Sequence, residues 1–256
     1  METHYEHAIV RPPGEAYAQC IRPPGARDEI DVALAAAQHS AYVRALESQG
    51  IRIHSLAPDA HYPDGCFVED AVIVAEDLAI ICAMGAPARR GEETSVGDAL
   101  KQHVEIARIT PPAEIDGGDV VRIGNRLFVG VSQRTNRHAL DQLRDIVEPR
   151  GGEVVAVEMN GVLHLKSACT YAGNDTVVIS PEHVDKETFA GCRRIEVPLR
   201  ESYAANCLAV NGMVVVSVGY PRTRDLLDKS GFKTMELEMS EFRKGWGSLT
   251  CLSVLF

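Results

Sequence analysis

Gly247-Ser248-Leu249-Thr250-Cys251-Leu252-Ser253-Val254-Leu255-Phe256 is the stretch whose reading decides the fold. Leu252, Val254 and Phe256 alternate with Cys251, Ser253 and Leu255, and a period of two reads as a strand. Chain ends fray unless they are tied into a sheet, so a terminus this poor in polar groups calls for a strand partner. Gly247 gives the backbone room to turn just before it. Cys251 is then expected on a rigid strand end, partly exposed. Such a thiol is a nucleophile where its surroundings lower its pKa. The plainer reading is a small buried hydrophobe.

The partner comes from the other end of the chain. Ala8-Ile9-Val10-Arg11 is a short apolar strand stopped by Pro12-Pro13-Gly14. Asp31 opens a helix with apolar residues near a 3.6 period, Gly50 stops it, and Ile51-Arg52-Ile53-His54 is the next strand. A regular order follows. The acidic loop Asp64 to Asp70 leads to the strands Ala71 to Ala75 and Leu78 to Cys82, turning at Glu76-Asp77, then to a helix over roughly 93–102 and a strand over 104–109. The loop Ile115-Asp116-Gly117-Gly118-Asp119 leads to a second hairpin, to a helix carrying Ala139, Leu140, Leu143, Ile146 and Val147, and to a strand at Val154 to Val157. A third round begins at Leu163-His164-Leu165 and a fourth near Ala205-Asn206-Cys207. A fifth is closed only by pairing the Cys251 strand with the Ala8-Ile9-Val10 strand. Loop, hairpin, helix and strand thus recur about every 40 to 50 residues, the range of radial arrays. Closure on itself removes sheet edges. The reading is a five-bladed, pseudo-symmetric α/β propeller of ββαβ-type modules forming one catalytic domain over residues 1–256; the alternative is an open α/β sheet with scattered loops. In the propeller, equivalent loops converge on one end of the axis, bringing together Asp64, Glu69, Asp70, Asp116, Asp119, His164 and Cys251.

Composition limits the chemistry. The 256 residues are 45% apolar and 24% charged, as in ordinary globular proteins. A net charge of -10 disfavours nucleic acid and anionic membranes as partners. The seven cysteines are odd in number and lack Cys-x-x-Cys spacing, so neither a disulfide framework nor a zinc ribbon is expected. Met1-Glu2-Thr3-His4-Tyr5 carries no apolar signal segment, and no apolar run reaches the length of a membrane span. Reduced thiols in a cytoplasmic setting are expected.

Clustered carboxylates repel one another and raise their own pKa values unless a cation joins them. A planar guanidinium satisfies them in bidentate fashion. Arg89 and Arg134, on loops after the first two hairpins, suit a substrate carboxylate at the pocket mouth. The expected ligand is an arginine-like molecule with its side chain inside. Cys251 would attack the guanidinium carbon, and His164 would protonate the leaving amine and then activate water. Each residue also has a plainer reading. His164, between Leu163 and Leu165, suits a core histidine; the aspartates suit turns; Gly117-Gly118 suits a turn; Arg89-Arg90 suits a solvated pair.

The ordered motifs Pro63-Asp64-Gly65-Cys66-Phe67-Val68-Glu69-Asp70, Gly85-Ala86-Pro87-Ala88-Arg89-Arg90, Ile115-Asp116-Gly117-Gly118-Asp119-Val120, Ser132-Gln133-Arg134-Thr135-Asn136, Leu163-His164-Leu165-Lys166-Ser167 and Leu249-Thr250-Cys251 resemble dimethylarginine dimethylaminohydrolases, of the guanidine-modifying superfamily with its five-bladed α/β propeller. The resemblance spans essentially the whole chain. It implies hydrolysis of dimethyl- and monomethylarginine to citrulline and a methylamine, without metal or other cofactor. It implies Cys251 as nucleophile, His164 as acid and base, Asp116 and Asp70 on the guanidinium, Asp64 and Glu69 in the same acidic wall, and Arg89 and Arg134 on the α-carboxylate. Tyr17 falls at the place of the family's apolar lid residue. Gly245 stands six residues before the nucleophile, where an aliphatic residue is common. The small-molecule substrate is the expected partner, in a monomer or homodimer. The alternatives are an arginine or agmatine deiminase, whose known members are longer, and a non-catalytic binding protein for cationic amino acids. A thiol protease gives the acidic pocket no purpose, and a zinc site on His164 and Cys251 has no supporting ligand spacing.

Overall fold

The computed structural model describes residues 4–256; Met1, Glu2 and Thr3, the start of the segment read as lacking a signal, lie outside the described residues. The chain starts with β1 (His7–Val10), helix α1 (Val32–Ser48) and β2 (Arg52–Ser55). Asp31 caps α1 by accepting from the Leu34 N–H, as its position before the apolar periodicity suggests. Four modules follow. The first has β3 (Val72–Ala75), β4 (Leu78–Ile81), α2 (Glu92–Leu100) and β5 (Glu105–Arg108). The second has β6 (Val120–Ile123), β7 (Arg126–Val131), α3 (Arg137–Val147) and β8 (Glu153–Glu158). The third begins with α4 (Leu165–Ala168) and has β9 (Cys169–Gly173), β10 (Thr176–Ile179) and β11 (Arg193–Glu196). The fourth has β12 (Leu208–Val210), β13 (Met213–Ser217), α5 (Pro221–Lys229) and β14 (Lys233–Leu237). Helix α6 (Ser240–Lys244) then leads to β15 (Ser253–Leu255).

The strands form five three-stranded sheets, each an antiparallel pair plus a parallel third strand. The closing sheet is ordered β15-β1-β2, with Ala8 opposite Leu255 and Val10 opposite Ser253. The two ends of the chain therefore complete one blade, as the alternating terminus predicts, and the fold is the five-bladed α/β propeller. Middle strands are buried on both faces and read as unbroken apolar runs: Leu78-Ala79-Ile80-Ile81 and Thr176-Val177-Val178-Ile179 are buried throughout. The outer strand β8 is apolar on both faces at its centre, Val154 packing into one inter-blade cluster and Val155 and Val157 into the next, while Glu153 and Glu158 at its ends are exposed. Hairpins turn where φ is positive, at Asn174-Asp175 and Asn211-Gly212, the residue types such turns demand. Apolar clusters fill the gaps between neighbouring blades; one packs Ile9 and Val254 of the closing blade against Ala79, Ile81 and Leu100 of the next.

Two expectations are corrected. The third module has no full helix between β10 and β11; a 3-10 turn at Lys186–Phe189, pinned by the buried Phe189 ring, makes the crossing. Cys251 does not sit on a strand: it lies in a 3-10 turn at Thr250–Leu252, and β15 begins two residues later. That turn has counterparts. A short helical turn precedes the first strand of every other blade, at Val68–Ala71, Gly117–Asp119, Leu165–Ala168 and Leu199–Ala205. Among the described residues no helix is long and apolar enough to cross a membrane.

Candidate active site

Those turns gather the reactive side chains at one end of the axis. Val68–Ala71 brings Glu69 and Asp70, the turn at Gly117–Asp119 is capped by Asp116, α4 is preceded by His164, and Thr250–Leu252 brings Cys251. Asp64, Asp70, Arg89, Arg134, His164, Gly245 and Cys251 line one small cavity, of about 20 Å³, together with Ile21, Phe67, Leu163, Trp246 and Gly247. The much larger axial channel, about 1230 Å³, runs between the blades and touches Glu69, Lys166 and Thr250 on its way. It holds neither His164 nor Cys251 in its wall, so the chemistry belongs to the small cavity.

His164 is the hub. Its Nε2 lies 3.1 Å from Asp116 Oδ2, and its Nδ1 lies 3.7 Å from Asp70 Oδ1. Burial opposes charge on the ring, but Asp70 and then the hydrogen bond to Asp116 outweigh it, and the pKa is pushed up to about 9. Asp116, fully buried, also accepts from the Gly85 N–H at 3.0 Å and from Arg134 Nη1 at 3.2 Å. Asp70 accepts from Arg89 Nη1 at 2.6 Å and from the Gly118 N–H at 3.1 Å. Burial alone would raise the Asp70 pKa; His164 and Arg89 hold it down. Gly118 is required here by close approach. A Cβ on it would lie 2.6 Å from Asp70 Oδ1 and 2.7 Å from His164 Nδ1.

Cys251 is buried, not partly exposed as the sequence suggests, and its backbone N–H donates to Ser248 O at 3.2 Å. Burial first, then the charges of Glu69 and Asp70, raise its pKa, so these surroundings keep the thiol protonated. Glu69 is itself pushed upward by burial, opposed by Lys166 at 2.6 Å, and it accepts from the Thr250 hydroxyl at 2.7 Å. Asn206 clasps the same Thr250, donating to its hydroxyl and accepting from its N–H. The turn that carries Cys251 is thus anchored on both sides. Burial also raises Asp64, partly offset by Arg89, and its carboxylate accepts from the Ile21 N–H.

Two placements differ from expectation. Arg89 is not at a mouth: it is buried, bound to Asp70, to Glu92 at 2.7 Å and to the carbonyl of Phe67. Arg134 is the more open of the two, its side chain 11% exposed against 4% for Arg89. Tyr17 does not cover the pocket. Its buried hydroxyl donates to Glu241 O at 3.1 Å and its ring packs edge-on against Phe67, while Ile21, four residues later, lines the cavity. Gly245 does line it, and a Cβ there would lie 2.8 Å from Cys20 Sγ and 2.9 Å from the Tyr17 hydroxyl, which explains the missing aliphatic side chain.

Sequence reading missed Glu92, Lys166, Asn206 and Trp246 as members of the site. Lys166 lies inside the Leu163 to Ser167 motif and Asn206 at the start of a repeat, so position carried a signal for both. Asp70, Asp116 and His164 also offer three ligand atoms within 4.8 Å of one another, the sole such group among the described residues. A divalent cation there would compete with Arg89, Arg134 and a protonated ring, so the donor set suits protons and guanidinium groups better than a metal.

Comparisons with known proteins place the whole chain in one family. The family described as N,N dimethylarginine dimethylhydrolase, eukaryotic, matches residues 17–251. An N(G),N(G)-dimethylarginine dimethylaminohydrolase of Pseudomonas aeruginosa is 35% identical over 254 residues, covering 98% of this chain and all of the relative. A solved structure of the Pseudomonas aeruginosa enzyme, a Cys-to-Ser mutant complexed with citrulline, has a TM-score of 0.96 at 34% identity and covers 99% of this chain and 100% of its own. A solved dimethylarginine dimethylaminohydrolase adduct with S-methyl-L-thiocitrulline has a TM-score of 0.95 at 35% identity, covering 98% and 100%. The chain belongs to the dimethylarginine dimethylaminohydrolase family.

Proposed function

We propose that the protein hydrolyses Nω-methylated L-arginines to L-citrulline and methylamine or dimethylamine through a covalent thiouronium on Cys251, residues 1–256 acting as one catalytic unit. The observation that carries this is a buried thiol beside Glu69 and Asp70 that shares one small cavity with a raised-pKa His164, itself held by Asp116. Alone, that wall keeps the thiol protonated. A guanidinium seated against it brings the opposite charge, so the thiol releases its proton to solvent and the thiolate forms beside the carbon it attacks. The S–C bond forms, His164 gives its proton to the departing nitrogen, and the C–N bond breaks. His164, now neutral, takes one proton from water as the oxygen attacks; the C–S bond breaks, the second proton of the water returns to the departing sulfur, and citrulline leaves with the thiol restored. Arg134 binds the α-carboxylate, with Arg89 adding positive charge from beneath. The seven free cysteines suit a reducing, cytoplasmic setting.

The test is citrulline release from dimethylarginine, monomethylarginine, arginine and agmatine, compared side by side. Release from the two methylated arginines, abolished in Cys251→Ser, together with an adduct on Cys251 in quenched wild-type protein, is the expected result. An adduct on another cysteine, or full activity in Cys251→Ser, sinks the assignment. Equal turnover of agmatine, which lacks the carboxylate, removes the role given to Arg134.

A further inference from the structure

The cavity beside Cys251 is about 20 Å³ in volume, room for about one water molecule and far less than an arginine side chain needs. Some part of its wall must yield to admit substrate. Trp246 is the most open residue lining it, 39% exposed; the others are buried or half-buried. It is also the single tryptophan of the chain. Among the described residues its indole makes no hydrogen bond, ring contact or cation contact.

The backbone beneath it is fixed. Trp246 sits at φ +62, a region bulky L residues rarely adopt. Its N–H donates to Arg243 O at 3.2 Å, the Gly247 N–H donates to Phe242 O at 2.9 Å, and the Tyr203 hydroxyl donates to Gly247 O at 2.8 Å. A Cβ on Gly247 would overlap the Phe67 ring. The glycines on either side of Trp246 therefore serve close packing, and the turn is not a hinge. The freedom that remains is rotation of the indole itself. A strained residue that the fold over-determines, placed at a site and with no hydrogen bond, ring contact or cation contact on its indole among the described residues, points to a role at that site.

We propose that Trp246 is the specificity-determining cover of the pocket: its indole swings aside to admit a cationic guanidine and then lies against it, favouring N-methylated over unmethylated guanidines. This rests on the reading of the pocket as a guanidinium site. The face of an indole attracts cations within about 6 Å, and a guanidinium stacks on it well. Methyl groups remove part of the guanidinium's hydration and add apolar surface, and Ile21, Leu163 and Phe67 complete an apolar rim around the same cavity.

Three measurements on the full chain test this. Trp246→Ala is expected to lower kcat/KM for dimethylarginine about tenfold, mainly through KM, with a smaller effect for arginine, and Trp246→Phe is expected to restore most of the loss. Because Gly is at home at positive φ, Trp246→Gly is expected to keep or raise Tm while losing the same selectivity, which separates cover from scaffold. In Cys251→Ser, emission from the sole tryptophan is expected to shift when dimethylarginine or citrulline binds, with binding followed independently by calorimetry. Unchanged selectivity in Trp246→Ala, or bound ligand without an emission change, overturns the proposal while citrulline release by the wild type leaves the activity standing. Absence of citrulline release by the wild type overturns the activity itself, and the cover with it.

Discussion

His39 and His164 are both buried, at 3% and 6% exposure, yet burial leads them to opposite ends of the pH scale. His39 lies on the inner face of α1, its ring 6.4 Å from that of Tyr42, and its Nε2 has no hydrogen-bond partner. Desolvation acts alone there and lowers its pKa to about 4. His164 is desolvated as well, but Asp70, Asp116 and Asp119 surround it and raise its pKa to about 9. Near neutral pH one ring is neutral and inert, the other charged and ready to give up a proton. Burial sets the stakes; the charges arranged around the ring decide the sign. The two regions differ in construction accordingly. The α1 face is filled by apolar side chains, whereas the axial turns bury carboxylates that outnumber the Arg89, Arg134, Lys166 and His164 cations set against them.

The comparison breaks most visibly in activity. His164→Ala is expected to lower kcat at least about 10³-fold, within the range that removal of a general acid and base gives. His39→Leu is expected to leave kcat within about twofold, since nothing in the site touches it. Citrulline assays on both variants decide the matter. Equal losses would mean that His164 acts only through the fold. With a substrate whose leaving group needs no proton, His164→Ala is further expected to form the Cys251 adduct and stall, which rapid-quench mass spectrometry detects.

Asp116→Asn sharpens the comparison by removing one of the charges that distinguishes the two rings. It keeps the shape but gives up the acceptor shared by His164 and Arg134. The His164 pKa is expected to fall from about 9 toward its ordinary value of 6.5, and turnover to drop about 10²-fold. A ring-proton titration followed by NMR reads the first, and a pKa unmoved by the substitution would contradict the electrostatic account.

His164 and His39 also show how far the chain was legible from its letters. Flanked by Leu163 and Leu165, His164 has the more apolar neighbours in sequence, while His39 lies between Gln38 and Ser40; sequence context ranks them the wrong way round. Charges that meet across blades leave no local trace, since Asp70, Asp116 and His164 each lie about one module from the next. Repeat order supplied what local context did not, because equivalent loops of a closed array must converge. The blades were legible for a plain reason: buried middle strands are apolar runs, and outer strands are short apolar stretches with exposed polar ends. The helical turns before each blade were not, as a single 3-10 turn is too short for a period. Arg89-Arg90 reads as a solvated pair, and Arg90 is one, half-exposed and bound to Glu114 at 2.5 Å. Arg89 is buried by partners at Glu92 and Asp70, one of them in another motif. No feature of the sequence separates Tyr17 from Ile21 as the residue that reaches the cavity.

Arg134→Ala addresses the rim of the charged region and is expected to act on binding more than on chemistry. If Arg134 holds the substrate carboxylate as proposed, its loss is expected to raise KM for dimethylarginine about tenfold, with kcat changed less. Agmatine turnover, however slow, is expected to be unaffected. An equal penalty on agmatine would place Arg134 with Asp116 and His164 in the chemistry, not with the carboxylate.

The smallest effect is on stability, and it belongs to His39. In the folded protein its pKa is depressed to about 4, against 6.5 when exposed. Below 6.5 the unfolded chain takes up a proton that the folded protein refuses. The stabilisation that comes from keeping this ring neutral is therefore complete above about pH 6.5 and is lost as pH falls toward 4. His164 has the opposite sign: its raised pKa gives stability that is complete below 6.5 and is lost as pH rises through about 9. For His39 the loss between pH 7 and pH 6 is about 0.7 kcal/mol by linkage. Other groups titrate in the same interval, so the informative quantity is a difference. Unfolding free energies of wild type and His39→Leu, measured by urea at pH 7 and pH 6, share every other titration. The wild type is expected to lose about 0.7 kcal/mol more than the variant over that step. Equal losses would mean that His39 finds a partner for its proton when charged, and burial alone would no longer explain the ring on the α1 face.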